Sequence, residues 1–314
     1  EARFDHDPLT LESLGLLIEE SRTNQFPYSS DFSTWATNNV SFVTGISDPE
    51  GGTNATKMVV SSTASGSGLA AFTTNDTTLT NGTTYTQSLW AKKNAFPVSN
   101  NAYFVIQIAT STGFTPGHRN FDLSTGTLGS GDVSGSIVEY PDGWYRVSVT
   151  AQATTSGSGR MAIAIVDGPT SGRIGDCSIG SEGQDGVYIW GAQLEEGSFS
   201  TSYISTSAAA ATREYDIGSI VGDDFTSFFN QSEGTFDVGY RLGVENVGMR
   251  LCQISNGSAS TIIDLVAGSG SGLGGYWFIK TGTTQFSSPT TDNSTQVDRN
   301  FRSVLAYKEN DCVA

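Results

Sequence analysis

The sequence predicts an all-β protein, built as two β-sandwich, jelly-roll-like modules in tandem with the second truncated. Three observations predict it. The first is composition. Of 314 residues only 15% are charged and 37% hydrophobic, and the remainder is weighted toward Gly, Ser, Thr and Asn. Ser, Thr and Asn compete for backbone hydrogen bonds, and Gly carries an entropic cost, so long helices are disfavoured. The same mix suits short strands joined by many turns. The second is pattern: short apolar or aromatic runs recur between Gly/Asn/Asp/Ser clusters. The third is the lack of a long helical pattern between those runs, which indicates sandwiches rather than βαβ units. The length suits two domains at about 100–200 residues each.

Residues 1–25 read as an N-terminal connector segment. Asp7-Pro8 is a turn signal, and Leu14, Leu16, Leu17 and Ile18 form an apolar run of the kind found in a buried strand. Glu19, Glu20 and Arg22 close it with charge. Residues 26–204 form the first sandwich. Its strands are expected at 85–90, 103–108, 144–149, 161–166 and 187–190, with the sharpest turns at Asn81-Gly82 and Asp142-Gly143. Alternation places Tyr145, Val147 and Val149 on one face and Arg146 and Ser148 on the other. Residues 205–216 read as a linker. Its Ala run at 208–211 has the propensity for one helical turn, marginal by itself.

Residues 217–314 form the second sandwich, with strands expected at 235–240, 261–266, 276–280 and 303–307. Four or five strands are too few for two packed sheets. This module is therefore expected to be incomplete, either truncated or completed by a neighbour. The chain starts at Glu1 without a Met and stops at Ala314 in mid-pattern, so the expectation is a piece of a longer protein.

A net charge of −16 repels phosphate backbones and anionic membrane surfaces, which argues against nucleic acid or membrane partners. The acidity is read as keeping a Gly/Ser/Thr-rich surface soluble. No stretch approaches the ~20 apolar residues of a spanning helix, and no signal-peptide pattern is present. The three cysteines, Cys177, Cys252 and Cys312, match neither a disulfide framework nor a zinc signature. Half-buried thiols are expected, and whether Cys252 meets Cys312 stays open.

Catalytic chemistry is poorly served. The only histidines are His6, in Asp5-His6-Asp7, and His118, after Pro116-Gly117. Neither sits in a pattern that suggests a Ser–His–Asp triad. The carboxylate pairs Glu19-Glu20, Glu195-Glu196 and Asp223-Asp224 are adjacent in sequence. Strand neighbours point to opposite faces, so such pairs are poor dyads for glycoside hydrolysis. A non-enzyme is expected. Asp5/Asp7 and Asp292/Asn293/Asp298 are oxygen-rich and would suit a structural Ca²⁺, but no EF-hand spacing exists and solvated turns are the preferred reading. No cofactor is expected. For sugar binding, aromatic faces stack on C–H surfaces while amide and guanidinium groups bond hydroxyls. The candidates are Trp90, Trp144, Tyr145, Arg146, Trp190 and Gln193. Each also has a packing reading: Trp90 and Trp190 end strands and can fill a core, and residues 143–146 can form a sandwich corner.

Several motifs together resemble a widespread phage tail-fibre and head-spike family. They are Arg3-Phe4-Asp5-His6-Asp7-Pro8, then Ser13-Leu14-Gly15-Leu16-Leu17-Ile18-Glu19-Glu20-Ser21-Arg22-Thr23-Asn24, then Tyr28-Ser29-Ser30-Asp31-Phe32 with Trp35. The next stretch looks like a carbohydrate-binding jelly roll through Tyr85-Thr86-Gln87-Ser88-Leu89-Trp90, Gly143-Trp144-Tyr145-Arg146-Val147 and Ile189-Trp190-Gly191-Ala192-Gln193-Leu194-Glu195. Ser202-Tyr203-Ile204 and Thr212-Arg213 fit its closing pattern, so the resemblance covers roughly the first two-thirds of the chain. The last third resembles a laminin-G/concanavalin-like module, through residues 228–236, 253–257 and 305–311. The family pattern continues beyond Ala314 and carries a segment before position 1. The resemblance implies a virion location, homotrimeric fibres, contact with other virion proteins and attachment to bacterial surface glycans. Two alternatives go with it: a structural capsid-decorating or fibre-connecting module, and a capsule polysaccharide depolymerase.

Overall fold

A computed structural model describes residues 3–60, 71–94, 105–174, 186–242, 249–258, 261–269, 272–281, 283–287, 300–308 and 311–313. The protein is all-β, and the chain divides into two compact units, Glu1–Gly218 and Ser219–Ala314.

The first unit contains β1 (Phe4–His6), β2 (Ser13–Leu16), β3 (Arg22–Asn24), β4 (Ala36–Asn38), β5 (Val40–Ile46), β6 (Ala55–Val60), β7 (Ala71–Leu79) and β8 (Thr84–Lys93). It continues with β9 (Val105–Thr110), β10 (Gly117–Asp122), β11 (Thr127–Gly131), β12 (Ser134–Glu139), β13 (Trp144–Gln152), β14 (Gly157–Val166), β15 (Gly186–Glu196) and β16 (Ala211–Arg213). Two six-stranded antiparallel sheets, ordered β11-β10-β9-β14-β7-β4 and β12-β13-β8-β15-β6-β5, form the sandwich. Period-2 alternation sends one face of each strand into the core between them. Tyr85, Leu89 and Ala91 of β8 meet Val147 and Val149 of β13, Ile106 and Ile108 of β9, and Met161 and Ile163 of β14 there. The alternation read on β13 therefore falls on the inner face.

Both expected turns form, with different roles. At Asp142 and Gly143 both φ values are positive, 61° and 75°, as a tight hairpin turn between β12 and β13 requires. Asn81-Gly82 also turns, with Gly82 at φ 81°. It carries the chain from one sheet to the other, because β7 and β8 belong to different sheets.

The ends of this unit depart from expectation. Leu14, Leu16 and Ile18 belong to or follow strand β2, but they are exposed rather than buried. Among the described residues that strand pairs only with β1, and the two-stranded hairpin has no second layer there to bury against. The 208–211 Ala run makes no helix, because Ala211–Arg213 pairs with Arg22–Asn24 as a strand. Residues read as connector and linker are thus joined to each other.

The joint is electrostatic. Arg3 Nη1 donates to Glu19 Oε2 at 2.7 Å, and Arg3 also bonds both oxygens of Asp216. The Glu19 and Asp216 backbones add a hydrogen bond from Asp216 N to Glu19 O at 2.9 Å. Burial acts to raise the pKa of Glu19 and of Asp216. Hydrogen bonds from Ser202 and Arg3 to Glu19, and from Arg3 and Glu19 N to Asp216, outweigh it, and both carboxyls lie below their usual range. A depressed folded pKa gives stability that is present above the unfolded value and lost as pH falls through the folded one. The joint is therefore expected to hold at neutral pH and to weaken as pH drops below the ordinary values of 4.5 and 3.8. Carboxyl ¹³C titration should show both midpoints below those values, with the hairpin amides shifting in step. Midpoints at the ordinary values would remove the joint.

The second unit contains a short helix α1 (Gly222–Thr226) and strands β17 (Glu233–Arg241), β18 (Met249–Ser255), β19 (Thr261–Ser269), β20 (Gly272–Thr281), β21 (Thr283–Ser287), β22 (Asn300–Lys308) and β23 (Asp311–Val313). They form a three-stranded sheet, β17-β22-β23, and a four-stranded sheet, β18-β19-β20-β21. The four strands read from sequence are all present, and β18, β21 and β23 add to them. Leu265 and Trp277 of one sheet pack with Leu305 of the other, with Phe236, Val238 and Ile279 against them. Trp277 Nε1 donates to Ser303 Oγ at 2.7 Å across the layers. Cys252 is a half-buried free thiol whose pKa is raised by burial and then by Asp264. Cys177 and the Cys312 side chain lie outside the described residues.

Candidate functional site

Five of the six residues expected to contact sugar share one surface, the outer face of the β12-β13-β8-β15-β6-β5 sheet. Register places Arg146 opposite Trp90, and Trp90 opposite Trp190. Trp144 lies opposite Lys92, which lies opposite Tyr188. A bulge between Trp190 and Gln193 inserts an extra residue into β15. That insertion keeps Trp190, Gln193 and Glu195 on the outer face while Ala192 and Leu194 turn inward to the core. Gly191 makes the bulge with φ +64°, and a Cβ there would stand 3.0 Å from the Trp90 ring and 3.3 Å from Tyr203. The sixth residue, Tyr145, faces inward and packs against the main core.

The outer-face aromatics are covered. Trp90, Trp144 and Trp190 are 6%, 3% and 3% exposed and form a second core with Ala55, flanked by Tyr140, Tyr188 and Tyr203. The Trp90 and Trp190 rings meet edge-on at 5.1 Å, and Tyr203 closes on Trp190 at 4.4 Å. The Arg146 guanidinium lies 4.4 Å over the Trp90 ring. Lys92 lies 5.8 Å over Trp144. None of the three indoles offers a free face to a sugar ring.

The polar candidates tie down the segment that does the covering. Gln193 and Glu195 are fully buried. Gln193 Nε2 donates to Glu195 Oε2 at 2.6 Å, and its Oε1 accepts from Ile204 N at 2.7 Å. Glu195 also accepts from the Thr201 amide at 3.0 Å and from the Thr201 hydroxyl. Arg146 Nη2 donates to Thr201 O at 2.5 Å and to Ser88 Oγ at 3.3 Å. Arg146 is partly exposed as a residue, but its Nε is buried and has no hydrogen-bond partner among the described residues. Burial lowers its pKa, while Tyr140, Glu195 and Glu19 act in the opposite direction. Residues 201–206 are thus clamped over the sheet.

Glu195 and Glu196 alternate along β15, Glu19 and Glu20 lie between β2 and β3, and Asp223-Asp224 sits in α1. Glu19 and Glu195 turn into the polar networks above. Glu20 and Glu196 line a cleft of about 570 Å³ together with Ser21, Arg22, Thr23, Gln25, Thr83, Thr84 and Gly197. Sequence reading missed this cleft. Its walls come from β3, from the start of β8 and from the end of β15, which no local pattern connects. Arg22 Nε donates to Glu20 Oε1 at 2.8 Å, and its guanidinium stands 4.7 Å over the Phe199 ring. Gly197 makes room for it: φ is +127°, and a Cβ would lie 1.9 Å from Arg22 Nη1. Tyr85 Oη donates to Glu196 Oε1 at 3.4 Å. The cleft offers carboxylate acceptors, amide and guanidinium donors, and hydroxyls that do both.

The histidines are apart from it. His118 Nδ1 is 3.6 Å from Asp132, a pair that is ionic only when the imidazole is protonated. Asp7 spends Oδ1 on the Leu9 and Thr10 amides, at 3.0 and 2.8 Å. Asp292, Asn293 and Asp298 lie outside the described residues. Among the described residues no group of three or more His, Cys, Asp or Glu could hold a metal ion, and no helix is long and apolar enough to cross a membrane. Comparison with protein-family models and with curated proteins finds no match.

Proposed function

We propose that this chain is a non-enzymatic glycan-binding segment of a bacteriophage fibre or spike, and that the polar cleft holds the saccharide. The observation that carries the reading is the cleft lining: Glu20, Glu196, Arg22, Gln25 and three threonines around about 570 Å³. A saccharide is a dense array of hydroxyls, each both donor and acceptor, and this lining matches that alternation. The two carboxylates favour neutral or amino sugars over acidic ones, in keeping with a chain of net charge −16. Binding at one such open site is weak, and several copies on a virion raise avidity without new contacts. The fibre assignment rests on the motif resemblance, and bacterial attachment follows from it.

The test is a panel of bacterial surface polysaccharides, with binding and reducing-end release read in the same wells. Binding without release is the expected outcome. Glu196→Gln should weaken binding roughly ten-fold or more, since hydrogen bonds to a charged group are worth about 1.5–3 kcal/mol. The presence of Glu20 and Glu196 in one cleft favours the depolymerase as the second reading. Oligosaccharide release that disappears in either Glu→Gln variant would establish it instead. No binding and no release would leave the structural fibre or capsid module.

A further inference from the structure

The chain contains two Asn-Gly steps, Asn81-Gly82 and Asn256-Gly257. At such a step the glycine nitrogen is within reach of the asparagine side-chain carbonyl carbon, and no Cβ obstructs the approach. Both steps are exposed. Both glycines take positive φ, 81° and 86°, with open space where a Cβ would stand. By sequence and exposure the two are alike, and their hydrogen bonds set them apart.

At the first step the reacting groups are tied to a neighbouring segment. Gly82 N donates to Ala153 O at 2.9 Å, and Ala153 N donates to Thr83 O at 2.9 Å. Gln152 Nε2 donates to Gly82 O at 2.8 Å. The Gly82 nitrogen is thus held in a paired backbone, and its proton meets a carbonyl, which has no proton of its own to pass on. Among the described residues nothing donates to Asn81 Oδ1.

The second step, in the turn between β18 and β19, is arranged differently. Ser258 N donates to Asn256 Oδ1 at 3.1 Å. That is the oxygen that gains negative charge when the side-chain carbonyl is attacked, so the donor stands where an oxyanion hole places one. Gly257 N donates to Ser255 Oγ at 3.3 Å. A hydroxyl both accepts and donates, so it relays the amide proton to solvent.

We propose that Asn256 is a self-modification site, converted through a cyclic imide to aspartate or isoaspartate, and that the fold protects Asn81 from the same reaction. In the first step Gly257 N bonds to Asn256 Cγ while its proton passes through Ser255 Oγ to hydroxide. The Cγ–Nδ2 bond then breaks, and the nitrogen takes a proton from water and leaves as ammonia. In the second step water adds to one of the two imide carbonyls and that C–N bond breaks. Opening at Cγ gives aspartate, and opening at the main-chain carbonyl gives isoaspartate, with a methylene added to the backbone. Nothing is oxidised or reduced. Either product adds negative charge to a chain already at −16. The inference does not rest on the saccharide reading, because the cleft belongs to the first unit and this turn to the second.

Timed incubation of the full chain at mildly alkaline pH, followed by peptide mapping that separates aspartate from isoaspartate, tests it. In the folded protein Asn256 should convert roughly ten-fold faster than Asn81, as a barrier lower by about 1.4 kcal/mol dictates. In urea the two rates should converge, since the residues that follow are Gly-Thr at one step and Gly-Ser at the other. Ser255→Ala should bring the folded rate at Asn256 down toward that at Asn81 and leave the rate in urea unchanged. Ser255 is exposed, so the melting curve of the variant should match the wild type. Equal rates at the two steps in the folded chain would overturn the proposal. So would a preference that persists in urea, or a folded Ser255→Ala chain that reacts at the wild-type rate.

Discussion

Replacing Trp190 by Ala should destabilise the first unit by about 3–5 kcal/mol, the range for deleting a buried indole. At 2–4 °C per kcal/mol for a unit of this size, its melting temperature should fall by on the order of 10 °C. The reason is the second core. Trp190 is 3% exposed and packs against Trp90 at 5.1 Å and Tyr203 at 4.4 Å. Its loss leaves a cavity under the 201–206 segment that a rigid sheet cannot close. Trp190 lies outside the cleft lining, so saccharide affinity per folded molecule should stay at the wild-type value. Thermal melting by circular dichroism and a saccharide titration below the melting point would separate the two effects. If affinity collapsed while stability held, the indole would be a ligand platform and the cleft assignment would be wrong.

Arg146→Ala should cost about 3 kcal/mol, near the lower end for breaking a buried charged interaction, because the residue is partly exposed. Three things are lost together: the stack on Trp90 at 4.4 Å, the bond to Thr201 O and the bond to Ser88. Fully buried Glu195 is left with less positive charge nearby. Arg146→Lys should recover only part of the stability, since an ammonium cannot both lie flat on an indole and reach two acceptors. A double-mutant cycle with Glu195→Gln, read by urea denaturation, should give a coupling energy of about 1 kcal/mol or more. Full additivity, or complete rescue by Lys, would show that Arg146 acts only as apolar cover.

The candidate site was legible in part. Trp90, Trp144, Arg146, Trp190 and Gln193 do converge on one surface. Whether that surface is open depends on residues 201–206, and nothing in the strands' own pattern reports a cover. Gln193 reaches the outer face only because of the Gly191 bulge, and simple alternation from Trp190 places it inside. The cleft was invisible because its walls lie far apart in the chain. Glu20 and Glu196 were noticed only as halves of adjacent pairs, and the fold draws the other member of each, Glu19 and Glu195, into a hydrogen-bond network.

The sequence by itself determined that the chain is all-β, where the nine strands β8, β9, β13, β14, β15, β17, β19, β20 and β22 lie and which face of β13 is apolar. Those follow from composition and from period-2 alternation, which are local properties. It also determined the Asp142-Gly143 turn, because few residue pairs accept two positive φ values. Only the tertiary structure decided which faces stay open. The exposed hairpin, the sealed indoles, the pairing of Ala211–Arg213 with Arg22–Asn24 and the polar cleft all depend on contacts between distant segments. Burial is a property of the assembled layers, so the same apolar run reads alike whether the fold covers it or leaves it bare.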